Sequence, residues 1–348
     1  MHPLIHEGAG HYNAGRLEEA EACFQQVIDA DPVPALMNLG VVCRITGRIG
    51  ESAEFLRRAL ALRPDLPTVN YQLGMTLLQN GEYAQGWAHY EARHALLPRA
   101  TAPLPEWRGE PLAGKRILII AEQGLGDQVL WARFVPLLRG QAAEVGLAVA
   151  RFLVPLFDGL ADRVFNAQSF EDMPYDVWAS MGSVPRWLGA GPADVTAPYI
   201  SRPIPAGAPS GVGLMLDGGD RNPNPARLPP PAVGARIRAL APFTDLAPQA
   251  SGAADFGRTA DLIAGLERVV SVDTSVAHVA GAMGKPCHVL LPRPARDWYA
   301  NWHDDRTPWY PSLRTIRQPT AGDWDGVLAA LDAALARPVE GGAQLNES

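Results

Sequence analysis

The segment with the clearest chemical potential is EQGLGDQ, residues 122–128, between an apolar run and an amphipathic stretch. The run RILIIA is typical of a buried parallel strand, and VLWARFVPLL is typical of a helix. Gly124 and Gly126 would permit a tight turn and let a ligand approach backbone amides. Asp127 is a candidate general base, or alternatively a cap of the helix. Only G-x-G of the dinucleotide fingerprint G-x-G-x-x-G is present, so NAD binding has weak support.

A second polar segment, SVDTSVAH at residues 271–278, also joins a predicted strand to a predicted helix. Asp273, Thr274 or Ser275 could cap that helix. The same free amides, helped by the helix dipole, could hold a diphosphate. His278 falls one turn into the helix, where it either faces a ligand or is a structural histidine.

A third candidate is the segment RPARDWYANWHDDRTPWYP, residues 293–311, which follows a predicted strand. It begins at Arg293 and is rich in aromatic side chains that could stack on a sugar or a base: Trp298, Trp302, Trp309 and Tyr310. The alternative is a surface loop that its aromatic residues anchor.

Metal and cofactor signatures are not found in the sequence. Cys23, Cys43 and Cys287 lack metal-ligand or disulfide spacing and are predicted to be buried. The histidines show no ligand spacing either, and Walker A, G-x-S-x-G and H-E-x-x-H motifs are missing. We therefore expect neither a metal nor a cofactor.

The first part of the chain is an internal repeat. Three segments each place a glycine seven residues before a second glycine, and a proline seventeen residues after that second one, at Pro32, Pro64 and Pro98. The period is close to the roughly 34 residues of a tetratricopeptide repeat, a pair of antiparallel helices. We assign residues 1–98 to such an array, whose groove would bind a protein partner; an unrelated helical bundle is the alternative.

The rest of the chain alternates short apolar runs with helical stretches, which predicts α/β lobes with mainly parallel sheets. Residues 99–114 are predicted to be a linker docked by Trp107, and residues 339–348 a tail. The predicted Rossmann-like lobes are residues 115–205, on the acceptor side, and 206–338, on the nucleotide-sugar side. Ligands would bind at the carboxyl ends of their strands.

Charge and hydropathy exclude other classes. The net charge is −7 with a pI near 5.6, so no basic nucleic-acid footprint is visible. No apolar run approaches the roughly 18 to 20 residues of a membrane span, and the first residues lack a signal-peptide layout. These features predict a cytoplasmic protein.

Four stretches together resemble a known family. They are EYAQGWAHYEARHALL, WRGEPLAGKRILIIAEQGLGDQVLWARFVPLL, FGRTADLIAGLERVVSVDTSVAHVAGAMGKPCHVLLPRPARDW and TPWYPSLRTIRQ. They look like bacterial tetratricopeptide-repeat glycosyltransferases related to the ADP-heptose:lipopolysaccharide heptosyltransferase family. The resemblance implies the two-lobed GT-B fold, a nucleotide-sugar donor, no required metal and inversion at the anomeric carbon.

The same resemblance assigns roles to residues. The G-x-G-D match makes Asp127 the catalytic base on the acceptor hydroxyl. The D-T-x-x-x-H match implies that Asp273, Thr274, Ser275 and His278 hold the donor, mainly through its phosphates. Gly124 and Gly126 would line the same donor site.

Residues 216–249 depart from the family pattern, although Arg221 or Arg227 could still meet phosphate. This departure favours a second hypothesis, a non-catalytic interaction protein that keeps the repeats and the lobes. A nucleotide-dependent epimerase, which would need no acceptor, is a third.

Overall fold

The computed structural model describes residues 2–166, 169–195, 197–207, 209–218, 227–294, 299 and 304–338. The predicted tail lies outside these residues. Contacts divide the chain into two compact units. The first contains residues 1–99, 185–191 and 294–304, and the second contains residues 100–184, 192–293 and 305–348.

The first unit contains three antiparallel helix pairs, as the repeat pattern predicts. The helices are α1 (Pro3–Asn13), α2 (Leu17–Gln26), α3 (Pro32–Ile45), α4 (Ile49–Leu62), α5 (Pro67–Gln79) and α6 (Tyr83–Tyr90). Proline occupies the first position of α1, α3 and α5, where its missing N–H costs nothing. Gly74 lets α5 and α6 approach closely, because a Cβ there would lie 2.6 Å from the backbone nitrogen of Tyr90.

In the third repeat, the second helix ends well before the repeat's proline, Pro98. Helix α6 ends at Tyr90 and a 3-10 turn, Glu91–Ala95, follows it. A segment outside the repeat sequence packs here: Trp87 Nε1 donates to the carbonyl oxygen of Ala190 at 2.9 Å. The sequence had placed residues 185–191 in the first lobe, whereas their contacts join them to the repeats.

The second unit begins with a four-stranded parallel sheet. Its strands are β1 (Arg116–Ile120), β2 (Glu144–Ala148), β3 (Arg163–Phe165) and β4 (Val177–Ser180), in the order β3-β2-β1-β4. Helix α7 (Leu125–Ala132) follows β1. Helix α8 (Val184–Leu188) comes after β4, and from Pro185 onwards it belongs to the first unit. The predicted linker is part of this unit. Trp107 is buried as predicted, and its backbone nitrogen donates to Trp178 of β4 at 2.7 Å.

A five-stranded parallel sheet forms the rest of the second unit. Its strands are β5 (Val212–Met215), β6 (Phe243–Asp245), β7 (Arg268–Val272), β8 (Cys287–Leu291) and β9 (Leu313–Arg317), in the order β6-β5-β7-β8-β9. The helices around it are α9 (Pro231–Arg238), α10 (Pro248–Ser251), α11 (Phe256–Ala264), α12 (Ser275–Ala282) and α13 (Trp324–Leu335). The predicted fold class, helical repeats followed by two parallel α/β lobes, is confirmed.

None of the helices within the described residues combines the length and hydrophobicity that a membrane crossing requires. The three cysteines are all buried, as predicted.

Candidate functional site

The turn between β1 and α7 is shaped by an unusual backbone conformation. Gln123 has a φ of 61°, a left-handed value that is uncommon for a residue other than glycine. The neighbouring Gln128 fixes this turn, since its Nε2 donates to the Gln123 carbonyl at 3.4 Å and its Oε1 accepts from the Ala150 amide at 3.2 Å. Backbone strain of this kind persists only where surrounding contacts enforce it, and it concentrates at functional sites.

Asp127 is the third residue of α7 and reaches back over the turn. Its Oδ2 accepts a hydrogen bond from the backbone nitrogen of Gly124, the N-cap residue, at 3.0 Å. Loss of solvent raises the pKa of Asp127 to about 6, and the charge of Glu122 adds to the rise. The Gly124 hydrogen bond and the charge of Arg227 oppose it. Asp127 therefore has a capping contact and the pKa of a carboxylate suited to proton transfer near neutral pH.

Glu122 is a second carboxylate at this turn, and sequence reasoning had not singled it out. It is buried, and its Oε1 accepts from the backbone nitrogen of Gly182 at 3.1 Å. Its position directly before Gln123 in the motif was the available signal.

The second predicted segment lies where β7 ends and α12 begins. Thr274 occupies the N-cap position of α12, directly before Ser275. Asp273 is 5% exposed, and its Oδ2 lies 2.8 Å from Nη2 of Arg227. A buried carboxylate needs such a partner. Asp273 thus holds an arginine beside the α12 N-terminus, rather than capping the helix itself.

The beginnings of α7 and α12 meet at Gly126 and His278. A Cβ on Gly126 would lie 2.8 Å from Cδ2 of His278, so only glycine allows this approach. His278 is 6% exposed, and its Nδ1 lies 3.1 Å from the hydroxyl of Tyr310. The structure therefore brings together the two polar segments that the sequence predicts to hold the donor and the catalytic base. The roles of these residues stay predictions.

A buried arginine is surrounded by aromatic rings, and one of these rings, that of Tyr310, also packs against His278. The guanidinium carbon of Arg133 is 5.0 Å from the ring centre of Tyr199, 5.3 Å from that of Trp309 and 4.7 Å from that of Tyr310. Arg133 has no exposed surface, and its Nε donates to the Leu130 carbonyl at 3.1 Å. Such cation–π contacts are strongest where water is excluded.

The third predicted segment is corrected at Trp309. This tryptophan is 1% exposed and packs edge-on against Phe134, so its ring is a core element and offers no face to a sugar or base. Arg293 is exposed, and its Nη1 donates to the Pro319 carbonyl at 3.3 Å, which anchors the start of the segment. Trp298 and Trp302 lie outside the described residues.

One group in the repeats has the composition of a metal site. The ligand atoms of Glu7, His11 and Cys23 lie within 4.8 Å of one another. Nε of Arg16 donates to Nδ1 of His11 at 2.9 Å, so a neutral His11 carries its proton on Nε2. Because Nδ1 is engaged and Nε2 is protonated, neither ring nitrogen is available to a metal in this arrangement.

The tetratricopeptide repeat family matches residues 7–67, within the first unit. Protein FlbA of Caulobacter vibrioides is 25% identical over 351 aligned positions, which cover 78% of this chain and 55% of FlbA. The chain thus spans about half the length of this curated relative.

Two solved structures align with this chain at low sequence identity. ADP-heptose lipopolysaccharide heptosyltransferase II of E. coli aligns with 63% of this chain and 98% of its own, at 13% identity and a TM-score of 0.42. A variant of the Thermobaculum terrenum O-GlcNAc transferase aligns with 95% of this chain and 90% of its own, at 15% identity and a TM-score of 0.28.

Proposed function

We propose that this chain is a glycosyltransferase that uses a nucleotide-sugar donor and modifies a protein or a surface-glycan precursor. The observation that carries the proposal is the contact of Gly126 with His278, which joins two helix N-termini beside Asp127. Helix N-termini bind phosphate groups, and a carboxylate with a raised pKa can accept a proton. Direct sugar transfer needs both functions at one place.

Asp127 would remove the proton of the acceptor hydroxyl. The oxygen then attacks the anomeric carbon of the donor, a new C–O bond forms, and the bond from that carbon to the diphosphate oxygen breaks. Attack opposite the leaving group inverts the configuration. A pKa of about 6 leaves Asp127 ionised at neutral pH and makes it a stronger base than an ordinary carboxylate.

The leaving diphosphate needs positive charge, and this chain offers sources that involve no metal. The first amides of α12, after Thr274, would donate to phosphate oxygens. Arg227 is held next to them by Asp273. We therefore propose that transfer is metal-independent, and that Arg227 supplies the cation in the region where the sequence departs from the family pattern.

The repeats would recruit the acceptor, because tetratricopeptide arrays present an extended groove to protein partners. In this proposal the protein works in the cytoplasm, binds a nucleotide-sugar donor and a protein or glycan acceptor, and does not bind nucleic acid.

The proposal is tested by calorimetric titration of the full chain with a panel of nucleoside diphosphates and nucleotide sugars, with and without EDTA. One nucleotide is expected to bind equally well in both conditions. Asp127→Asn should keep this affinity and lose transfer to an acceptor. The matched control is Asp255→Asn, the same chemical change at the N-cap of α11, where Oδ1 accepts from the Arg258 amide at 2.9 Å.

The outcomes separate the hypotheses. Product formed from the donor alone would indicate an epimerase. If no nucleotide binds at millimolar concentration, the transferase proposal is wrong and the non-catalytic interaction protein takes its place. Full transfer activity in Asp127→Asn would show that Asp127 is not the catalytic base.

A further inference from the structure

A chain of hydrogen-bonding groups connects the side chain of His278 to the backbone of α7. The Tyr199 hydroxyl lies 2.8 Å from the Val129 carbonyl oxygen and 3.4 Å from the Tyr310 hydroxyl. The Tyr310 hydroxyl in turn lies 3.1 Å from Nδ1 of His278. Tyr310 is fully buried, so its hydrogen bonds must be made within the protein.

The direction of every hydrogen bond in this chain follows from the first one, between Tyr199 and Val129. A carbonyl oxygen can only accept, so the Tyr199 proton is committed to Val129. The Tyr199 oxygen can then only accept, and Tyr310 is its donor. With its proton used in this way, the Tyr310 oxygen accepts from Nδ1 of His278. The opposite arrangement would leave two phenol oxygens facing each other 3.4 Å apart without a proton between them.

We infer that Tyr310 is a positioning residue that holds neutral His278 with its proton on Nδ1. Nε2 of His278 is then a hydrogen-bond acceptor beside Gly126, where a Cβ would lie 3.2 Å from it. An unprotonated nitrogen repels phosphate oxygens and binds hydroxyl groups. This inference rests on the proposed function and refines it: His278 recognises a hydroxyl of the donor sugar, while the helix N-termini and Arg227 hold the phosphates.

The first test reads the tautomer directly and needs no substrate. Long-range ¹H–¹⁵N spectra of the full chain, labelled at histidine, are recorded at about pH 8, where an ordinary imidazole is neutral. His278 is assigned by its loss in His278→Gln. The expected pattern is a pyrrole-like Nδ1 and a pyridine-like Nε2, which changes to averaged shifts in Tyr310→Phe. A pyrrole-like Nε2 in the wild type would overturn the inference, as would an unchanged spectrum in Tyr310→Phe.

The matched control is Tyr175→Phe, because the Tyr175 hydroxyl donates to Glu144 of β2 at 3.5 Å, away from His278 in the sequence and beside a different sheet. This variant should leave the His278 resonances unchanged. Averaged shifts in both variants would show that a general loss of structure, rather than the loss of one hydrogen bond, frees the ring.

The second test separates the sugar from the phosphates. Tyr310→Phe and His278→Ala should each weaken binding of the sugar nucleotide about tenfold, the effect of one lost hydrogen bond in a buried site. The affinity for the matching nucleoside diphosphate should stay unchanged. Equal loss for both ligands would place His278 on the phosphates and overturn the hydroxyl assignment. If neither ligand binds the wild type, the proposed function fails while the tautomer result stands.

Discussion

Replacing Asp127 by Asn is expected to stabilise the fold while abolishing transfer, and the sign of the stability change identifies what the carboxylate does. The pKa of Asp127 is raised from 3.8 to about 6, mainly because its ionised form loses solvent. A shift of about two units corresponds to roughly 3 kcal/mol of cost for ionisation in the folded state. This is an upper value, because Asp127 keeps part of its surface exposed.

The loss of stability that Asp127 causes increases as pH rises. An unfolded chain ionises Asp127 near 3.8, whereas the folded chain keeps the proton up to about 6. Between these values the unfolded state binds fewer protons than the folded state, so this residue lowers stability as pH rises. The stability advantage of Asp127→Asn should therefore grow from about 0.6 kcal/mol near pH 4 to about 3 kcal/mol above pH 7.

The assay is urea unfolding of both proteins across this pH range, followed by tryptophan fluorescence. The two units of the chain need not unfold together. The unfolding curves are therefore fitted with two transitions, and the transition of the unit that contains Asp127 is compared between the two proteins. Asp255→Asn, the capping control, should show no comparable rise with pH.

A purely structural role for Asp127 predicts the opposite sign. An ionised carboxylate that caps a helix is stabilising by about 0.3–1 kcal/mol through the helix dipole, so its replacement would weaken the fold at neutral pH. Lower stability of Asp127→Asn at every pH would refute the reasoning and leave Asp127 as a capping residue. If Asp127→Asn is more stable than the wild type by the same amount at every pH, the pKa of Asp127 is not raised.

Two further changes probe the glycines where elements meet. Gly126→Ala should destabilise the α/β unit by about 1–3 kcal/mol and weaken nucleotide binding, because its Cβ would lie 2.8 Å from Cδ2 of His278. Unchanged nucleotide affinity in calorimetry would contradict this prediction. Gly74→Ala should destabilise the repeats by about 2 kcal/mol or more in thermal unfolding, because the Cβ would meet the Tyr90 backbone at 2.6 Å. Gly50→Ala in α4, with no atom within 4 Å of its Cβ, should instead be neutral or stabilising by up to about 1 kcal/mol.

The sequence was sufficient to predict the helical repeats and the alternation of strands and helices that follows them. Repeat spacing defined the helix pairs, and each buried apolar run followed by a polar turn defined a strand and the start of a helix. Because the strands are parallel, such turns lie at the carboxyl edges of their sheets. EQGLGDQ and SVDTSVAH were therefore expected at such edges, and the structure brings Gly126 of the first segment into contact with His278 of the second.

Features that depend on distant residues could not be predicted. The network of Arg133, Tyr199 and Tyr310 joins three separate parts of the chain, and no local pattern marks it. Trp309 shows the same limit, because an aromatic residue after a strand has the same local sequence whether it faces a ligand or the core. The pKa of Asp127 likewise depends on burial by the folded chain, which raises it, and on Arg227, one hundred positions away, which lowers it.

Arg133 allows one more prediction, because its charge is buried among aromatic rings, one of which belongs to Tyr310, the hydrogen-bond partner of His278. Arg133→Met keeps a similar volume and removes the cost of burying the charge, so the fold should be as stable as the wild type or more stable. Positive charge in a site sheltered from water strengthens the binding of anions. The variant should therefore bind a nucleoside diphosphate more weakly while its affinity for the uncharged nucleoside is unchanged, both measured by calorimetry. Equal affinity for the diphosphate in both proteins would show that Arg133 serves only to pack the aromatic cluster.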